Sequence, residues 1–145
     1  APFLEFENKW AIVLGLTSNW GSNDFQQQVL TTGDRLFENV VGTVQNWGTE
    51  DNLMFVVGAT RGSDIAAVRS KAPNHFFLVP GVGSQGGSLS EVVEYGINKD
   101  CGLLVNSSRG IIYAGDDESF GAMAKEEAAK LQIEMQKHLE ANQII

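Results

Sequence analysis

An α/β fold of parallel βα units is predicted by three observations. Short apolar runs rich in β-branched and aromatic residues recur four times, segments of helical periodicity separate them, and each run ends in a polar or glycine-rich turn. Strands that are apolar at consecutive positions need cover on both faces, and a parallel sheet with helical crossovers supplies it. With 145 residues and 43% apolar content, the chain can bury one core, so residues 1–145 are expected to belong to a single domain.

No element is expected at Ala1-Pro2-Phe3. Residues 10–16 read as the first strand, closed by the turn formers Thr17, Ser18, Asn19, Trp20 and Gly21. After a glutamine-rich connector, Leu36, Phe37, Val40, Val41, Val44 and Trp47 share one helical face, and that helix stops near Gly48. Residues 53–57 form the second strand, ending in Gly58-Ala59-Thr60-Arg61-Gly62. Ser63 or Asp64 should cap a short helix that stops before Pro73. The third strand spans 76–79. Four glycines follow within residues 81–87, and then Ser88 and Glu91 spell a capping box that opens a helix over 88–95. Residues 102–106 make the fourth strand, which Ser107, Ser108, Arg109 and Gly110 leave. From Asp117 an alanine-rich segment with Met123, Ala128, Leu131, Met135 and Leu139 reads as one closing helix, with Glu126 and Lys130 paired at i,i+4. Two architectures fit: a small doubly wound sheet, or half of an eight-stranded (β/α)8 barrel.

Composition narrows the partners. A net charge of -8 argues against nucleic acid and against an anionic membrane surface. No window approaches the roughly 20 apolar residues of a membrane span, and no signal-peptide pattern opens the chain. Cys101 is the only cysteine, so no internal disulfide is possible and a cytoplasmic location is expected. One cysteine and two scattered histidines, His75 and His138, give no metal ligand set.

Strand, glycine loop and helix start together form anion-binding architecture, because backbone N–H groups approach a phosphate closely only where no Cβ intervenes. Gly81, Gly83 and Gly86 match the dinucleotide fingerprint G-x-G-x-x-G. That fingerprint also requires an acid at the end of the next strand to hold ribose hydroxyls, and Asn106 stands there; Pro80 moreover removes a donor from the turn. The better reading joins two loops. Gln85, Gly86 and Gly87 follow the third strand, Ser108 and Arg109 follow the fourth, and in (β/α)8 barrels the last two such loops commonly bind phosphate. The plainer alternative is a tight βα turn beside a surface arginine.

Four ordered motifs carry a family resemblance: Leu-Thr-Ser-Asn at 16–19, Val-Val-Gly-Ala-Thr-Arg at 56–61, Pro-Gly-Val-Gly-Ser-Gln-Gly-Gly at 80–87 and Val-Asn-Ser-Ser-Arg-Gly-Ile-Ile-Tyr at 105–113. Together they closely resemble the orotidine 5'-phosphate decarboxylases, in their longer-chain bacterial branch. The resemblance implies a TIM barrel of which this chain is the C-terminal half, strands five to eight. It implies that Ser18 contacts the pyrimidine and that Pro80 lines the ring's edge. Gln85 and Arg109 would bind the 5'-phosphate, helped by amides near Gly86, Gly87 and Ser108. The implied ligands are orotidine 5'-phosphate and UMP, and the implied reaction uses no cofactor. The implied protein partners are the N-terminal half of the same barrel and a second copy in a homodimer. The family's Asp-x-Lys-x-x-Asp array, whose lysine protonates the carbanion, is absent from these 145 residues, so no catalytic residue is expected in this chain.

Overall fold

The computed structural model describes residues 2–83 and 86–145. In chain order the elements are β1 (Ala11–Leu16), α1 (Leu36–Val44), β2 (Leu53–Val57), α2 (Gly62–Lys71), β3 (Phe76–Pro80), α3 (Leu89–Gly96), β4 (Leu103–Asn106), α4 (Arg109–Ile112) and α5 (Phe120–Ala141). Short 3-10 turns stand at Pro2–Glu5 and Trp20–Asn23. The four strands form one sheet in the order β1-β2-β3-β4, and every neighbouring pair is parallel. Sequential order without reversal is the arrangement of a barrel half; a doubly wound sheet would turn back at a switch point and carry helices on both faces.

The main core cluster lies on one side of the sheet. Leu53, Phe55, Val57, Phe77 and Val79 point from the sheet towards Phe37, Val41 and Val44 of α1, Ile65 and Val68 of α2, and Val92 and Val93 of α3. The opposite face is open at the two edge strands, while Met54 at its centre is buried and Val56, Phe76 and Leu78 are half-buried. The alternate residues Ile12, Leu14 and Leu104 are 48%, 51% and 50% exposed. This corrects the expectation of strands buried on both faces: their continuous apolar pattern belongs to a barrel interior, and half a barrel leaves that interior facing outward.

Local chemistry revises several boundaries. The expected cap of α2 at Ser63 or Asp64 is not formed. The helix starts two to three residues earlier, after Arg61, whose Nε lies 2.8 Å from the Asp64 carboxylate. The reciprocal capping box of α3 is only half made: Ser88 Oγ accepts from the Glu91 N–H at 3.4 Å, while Glu91 Oε1 accepts from the Gly62 N–H at 2.8 Å and so caps α2 instead. Leaving Ser88 to cap its own helix, Glu91 ties two helices together at the end that faces the loops. The closing helix begins at Phe120 and not at Asp117, and the one-turn helix α4 precedes it. No residue of α5 is buried, although Leu131 and Met135 pack partly against the core. Asn98, Lys99 and Asp100 form the expected turn before β4, closed by paired backbone bonds between Asn98 and Cys101.

Candidate phosphate site

The parallel pairing of β3 with β4 runs to their last residues, Pro80 opposite Asn106. The loops that follow therefore leave the sheet side by side at its C-terminal end. The first is shaped by glycine. Gly81, Gly83 and Gly86 have φ of 96°, 79° and 84°, a region that L side chains rarely enter. Gly87 needs its bare Cα for another reason: a Cβ there would stand 2.6 Å from Ala59 Cβ, 2.9 Å from Gly81 O and 3.0 Å from Ala59 O.

The loop also uses its own donors. The Gly86 N–H donates to Gly83 O at 2.9 Å, and the Gly87 N–H to Gly81 O at 3.2 Å. These two amides, expected from the resemblance to face the phosphate, are engaged inside the turn. Gln85 lies outside the described residues. Across the gap, Ser108 stands at the start of α4 without capping it through its side chain, and its hydroxyl donates instead to Asn106 Oδ1 at 3.0 Å. Arg109 is exposed and makes no ion pair among the described residues, whereas Arg61 is engaged by Asp64.

Two cavities adjoin these loops. One of about 470 Å³ is lined by Gly83, Gly87 and Ser88 from the first loop, Ser107 and Gly110 from the second, and α5. The helix side of that cavity carries Glu127 and Glu134 with Lys130, and the lysine ammonium already sits 2.7 Å from Glu127 and 3.1 Å from Glu126. The hydrogen bond to Glu127, then that to Glu126, raises the pKa of Lys130. An anion is thus repelled from the α5 wall, and the positive charge left for it is Arg109. The second cavity, about 210 Å³, lies between Leu16, Ser18, Val56, Gly58 and Pro80. Ser18 and Pro80 are therefore brought together at one hollow, with Arg109 at the neighbouring strand end.

The sequence reading missed the support beneath Ser18. Gln26 Oε1 accepts from both the N–H and the hydroxyl of Thr17, at 2.9 and 3.0 Å, and so holds the loop after β1 from within the glutamine-rich connector. Gly58 lets that loop approach, since a Cβ would stand 2.7 Å from the Ser18 backbone nitrogen. Only the run of three glutamines signalled anything there, and composition does not say which one bonds. The histidines stand apart: His75 immediately precedes β3 at the opposite end, and His138 meets Ser90 Oγ at 3.3 Å on the outer helices. Among the described residues no group of three or more His, Cys, Asp or Glu side chains is placed to hold a metal, and no helix is long and apolar enough to cross a membrane.

No family model matches the chain. Curated relatives do. The orotidine 5'-phosphate decarboxylase of Phocaeicola vulgatus is 55% identical over 136 residues, which cover 94% of this chain and 50% of that protein. Among solved structures, UMP synthase from Leishmania donovani superposes with a TM-score of 0.74 at 41% identity, over 90% of this chain and 29% of that one. The OMP decarboxylase of the same organism also gives 0.74, at 35% identity, over 91% of this chain and 50% of its own. The chain spans about half the length of the curated relatives it matches. Similar in sequence along nearly all its length, and in fold through four consecutive βα units, the chain belongs to the orotidine 5'-phosphate decarboxylase family as half of its barrel.

Proposed function

We propose that this chain is the C-terminal half of an orotidine 5'-phosphate decarboxylase, which converts orotidine 5'-phosphate to UMP and carbon dioxide, and that it supplies the grip on the nucleotide. The single observation that carries the reading is the emergence of the glycine loop and of Ser108-Arg109 from paired strand ends, beside the hollow of Ser18 and Pro80. A guanidinium forks onto two phosphate oxygens, while Gln85 and the Ser108 amide add neutral donors. Ser18 and Pro80 then receive the pyrimidine. Binding energy from the phosphate, remote from the bond that breaks, serves to organise the reacting ring.

The acid and lysine array belongs to the other half of the barrel in this reading, so the N-terminal half is the required partner and this chain alone does not turn over substrate. The exposed Trp20 and Phe25 at the loop end suit a contact with a second barrel in a homodimer. The free Cys101 thiol suits a reducing, cytoplasmic compartment. The test is made in the barrel completed with an N-terminal half. Arg109→Ala should weaken nucleotide monophosphate binding about tenfold or more and Gln85→Ala less, because a charge-assisted bond contributes on the order of 1.5–3 kcal/mol against about 1 for a neutral one. Binding of the free nucleoside should hardly change. Equal losses for nucleotide and nucleoside would show that the two residues support the fold and not the phosphate.

A further inference from the structure

We propose that Asn106 reads the sugar of the bound nucleotide, an assignment that rests on the phosphate reading above and adds a contact to it. Side chains alternate along a strand, so Asn106 shares the open face of the sheet with Leu104 and lies opposite Pro80 in the next strand. A ligand whose phosphate meets Arg109 and whose ring lies at Pro80 and Ser18 must carry its sugar past this position. The Asn106 side chain is exposed, yet it is not free to turn: Ser108 Oγ donates to its Oδ1 at 3.0 Å. With the oxygen held, the two N–H donors of the carboxamide remain for the ligand, and orienting them beforehand lowers the ordering cost of binding.

The residue type fits the place. In dinucleotide sites the end of the strand after a glycine loop carries an acid that accepts from ribose hydroxyls. Here the phosphate would lie within the same loop cluster, and a carboxylate would face it with like charge; a neutral amide offers hydrogen bonds without that repulsion. The ligand class is thus a ribonucleoside monophosphate, and the contact is to a sugar hydroxyl oxygen.

In the barrel completed with the N-terminal half of a relative, dissociation constants are measured for UMP, its 2'-deoxy and 3'-deoxy analogues, and inorganic phosphate. Asn106→Ala should weaken UMP about threefold to tenfold, the range of one neutral hydrogen bond, and leave inorganic phosphate unchanged. One deoxy analogue should show the same penalty in the parent barrel and no further loss in the variant. Asn106→Asp should bind UMP more weakly than Asn106→Ala, and Ser108→Ala should fall between Asn106→Ala and the parent. Undiminished UMP binding by Asn106→Ala, or equal losses for UMP and inorganic phosphate, would overturn the proposal, the latter because the residue would then only brace the loop. Unchanged phosphate binding in Arg109→Ala is a separate result: it would overturn the phosphate site itself.

Discussion

At the end of the sheet away from the loops, one guanidinium joins the ends of four elements. Arg69 donates to Gly96 O at 2.8 Å, to Ala72, Pro73 and His75 O at 3.1, 3.3 and 2.7 Å, and to Gly102 O at 2.9 Å, and it lies 3.7 Å from the centre of the Phe77 ring. Burial pushes its pKa down to about 10, so it remains charged at neutral pH. Methionine would keep much of the stem but leave five carbonyls without this donor. Arg69→Met should therefore cost on the order of 3–4 kcal/mol in urea unfolding, and a loss below about 1 kcal/mol would contradict this role. His75 beside it makes a second, pH-dependent contribution. Its ring is buried, tilted against Phe55 at 5.5 Å between centroids, and neither nitrogen has a partner among the described residues. Burial holds its pKa below the usual imidazole value of 6.5. The unfolded chain then binds the proton more readily. Stability from this residue is complete above pH 6.5 and declines as pH falls from there to the folded pKa, by at most about 1.4 kcal/mol per pH unit. Unfolding free energies measured between pH 7.5 and 5.5 should fall less steeply in His75→Phe than in the parent, and identical slopes would exclude His75 as their source.

Each loop at the ligand end depends on a glycine that belongs to its neighbour. Gly87→Ala would drive a methyl group against Ala59 Cβ and two carbonyl oxygens, backbone that cannot swing aside. The loops after β2 and β3 should part, at about 1–3 kcal/mol, and nucleotide binding should fall together with stability. Gly62→Ala offers a contrast, since its new methyl would meet chiefly the ring of Tyr95, a half-exposed side chain able to move. If thermal melting showed Gly62→Ala to be much the worse of the two, the weight placed on the backbone contacts of Gly87 would be wrong. Contacts of this kind explain what was legible in the sequence and what was not. The four strands and the helical stripe of Phe37, Val41 and Val44 are periodic signals and they reappear, the strands with boundaries shifted by at most a residue, the helix ending at Val44 and not near Gly48, so that Trp47 lies outside it and is exposed. Gln26 on Thr17 and Glu91 on Gly62 bridge residues 9 and 29 apart, and no local pattern encodes such pairings. The caps failed because other partners claim the carboxylates: Asp64 pairs with Arg61 three residues earlier, and Glu91 accepts from the Gly62 N–H 29 residues away. The loop positions of Ser18, Pro80 and Arg109 came from ordered motifs, which carry spatial information that periodicity lacks.

The whole molecule has a finished side and an unfinished one. Its helix face is a closed core in which Phe37, Phe55, Phe77, Ile65 and Val92 are fully buried, enough to hold the four βα units in order. Its barrel face exposes Ile12, Leu14 and Leu104, and β1 and β4 end the sheet with unpaired edges. Parallel edges of this kind template further strands, and apolar area beside them adds a driving force for association. The same logic applies to α5, which packs against α4 and α3 without one buried residue and leaves Ile133 54% exposed. A two-fold axis along the barrel would set β4 of one copy beside β1 of the other at both seams, closing eight parallel strands with the apolar faces inside. The N-terminal half would close the same seams as a better-matched partner. Light scattering of the pure 145-residue chain should accordingly show a dimer or larger species in place of a 15.7 kDa monomer. Adding the separately produced N-terminal half of a relative should convert it to a one-to-one complex of the two halves and restore decarboxylation, which the chain alone should lack. A compact, monodisperse monomer that ignores the added half would mean that the open face is satisfied within the chain. Turnover by the chain alone, abolished in Arg109→Ala, would mean that the proton donor lies among these residues after all.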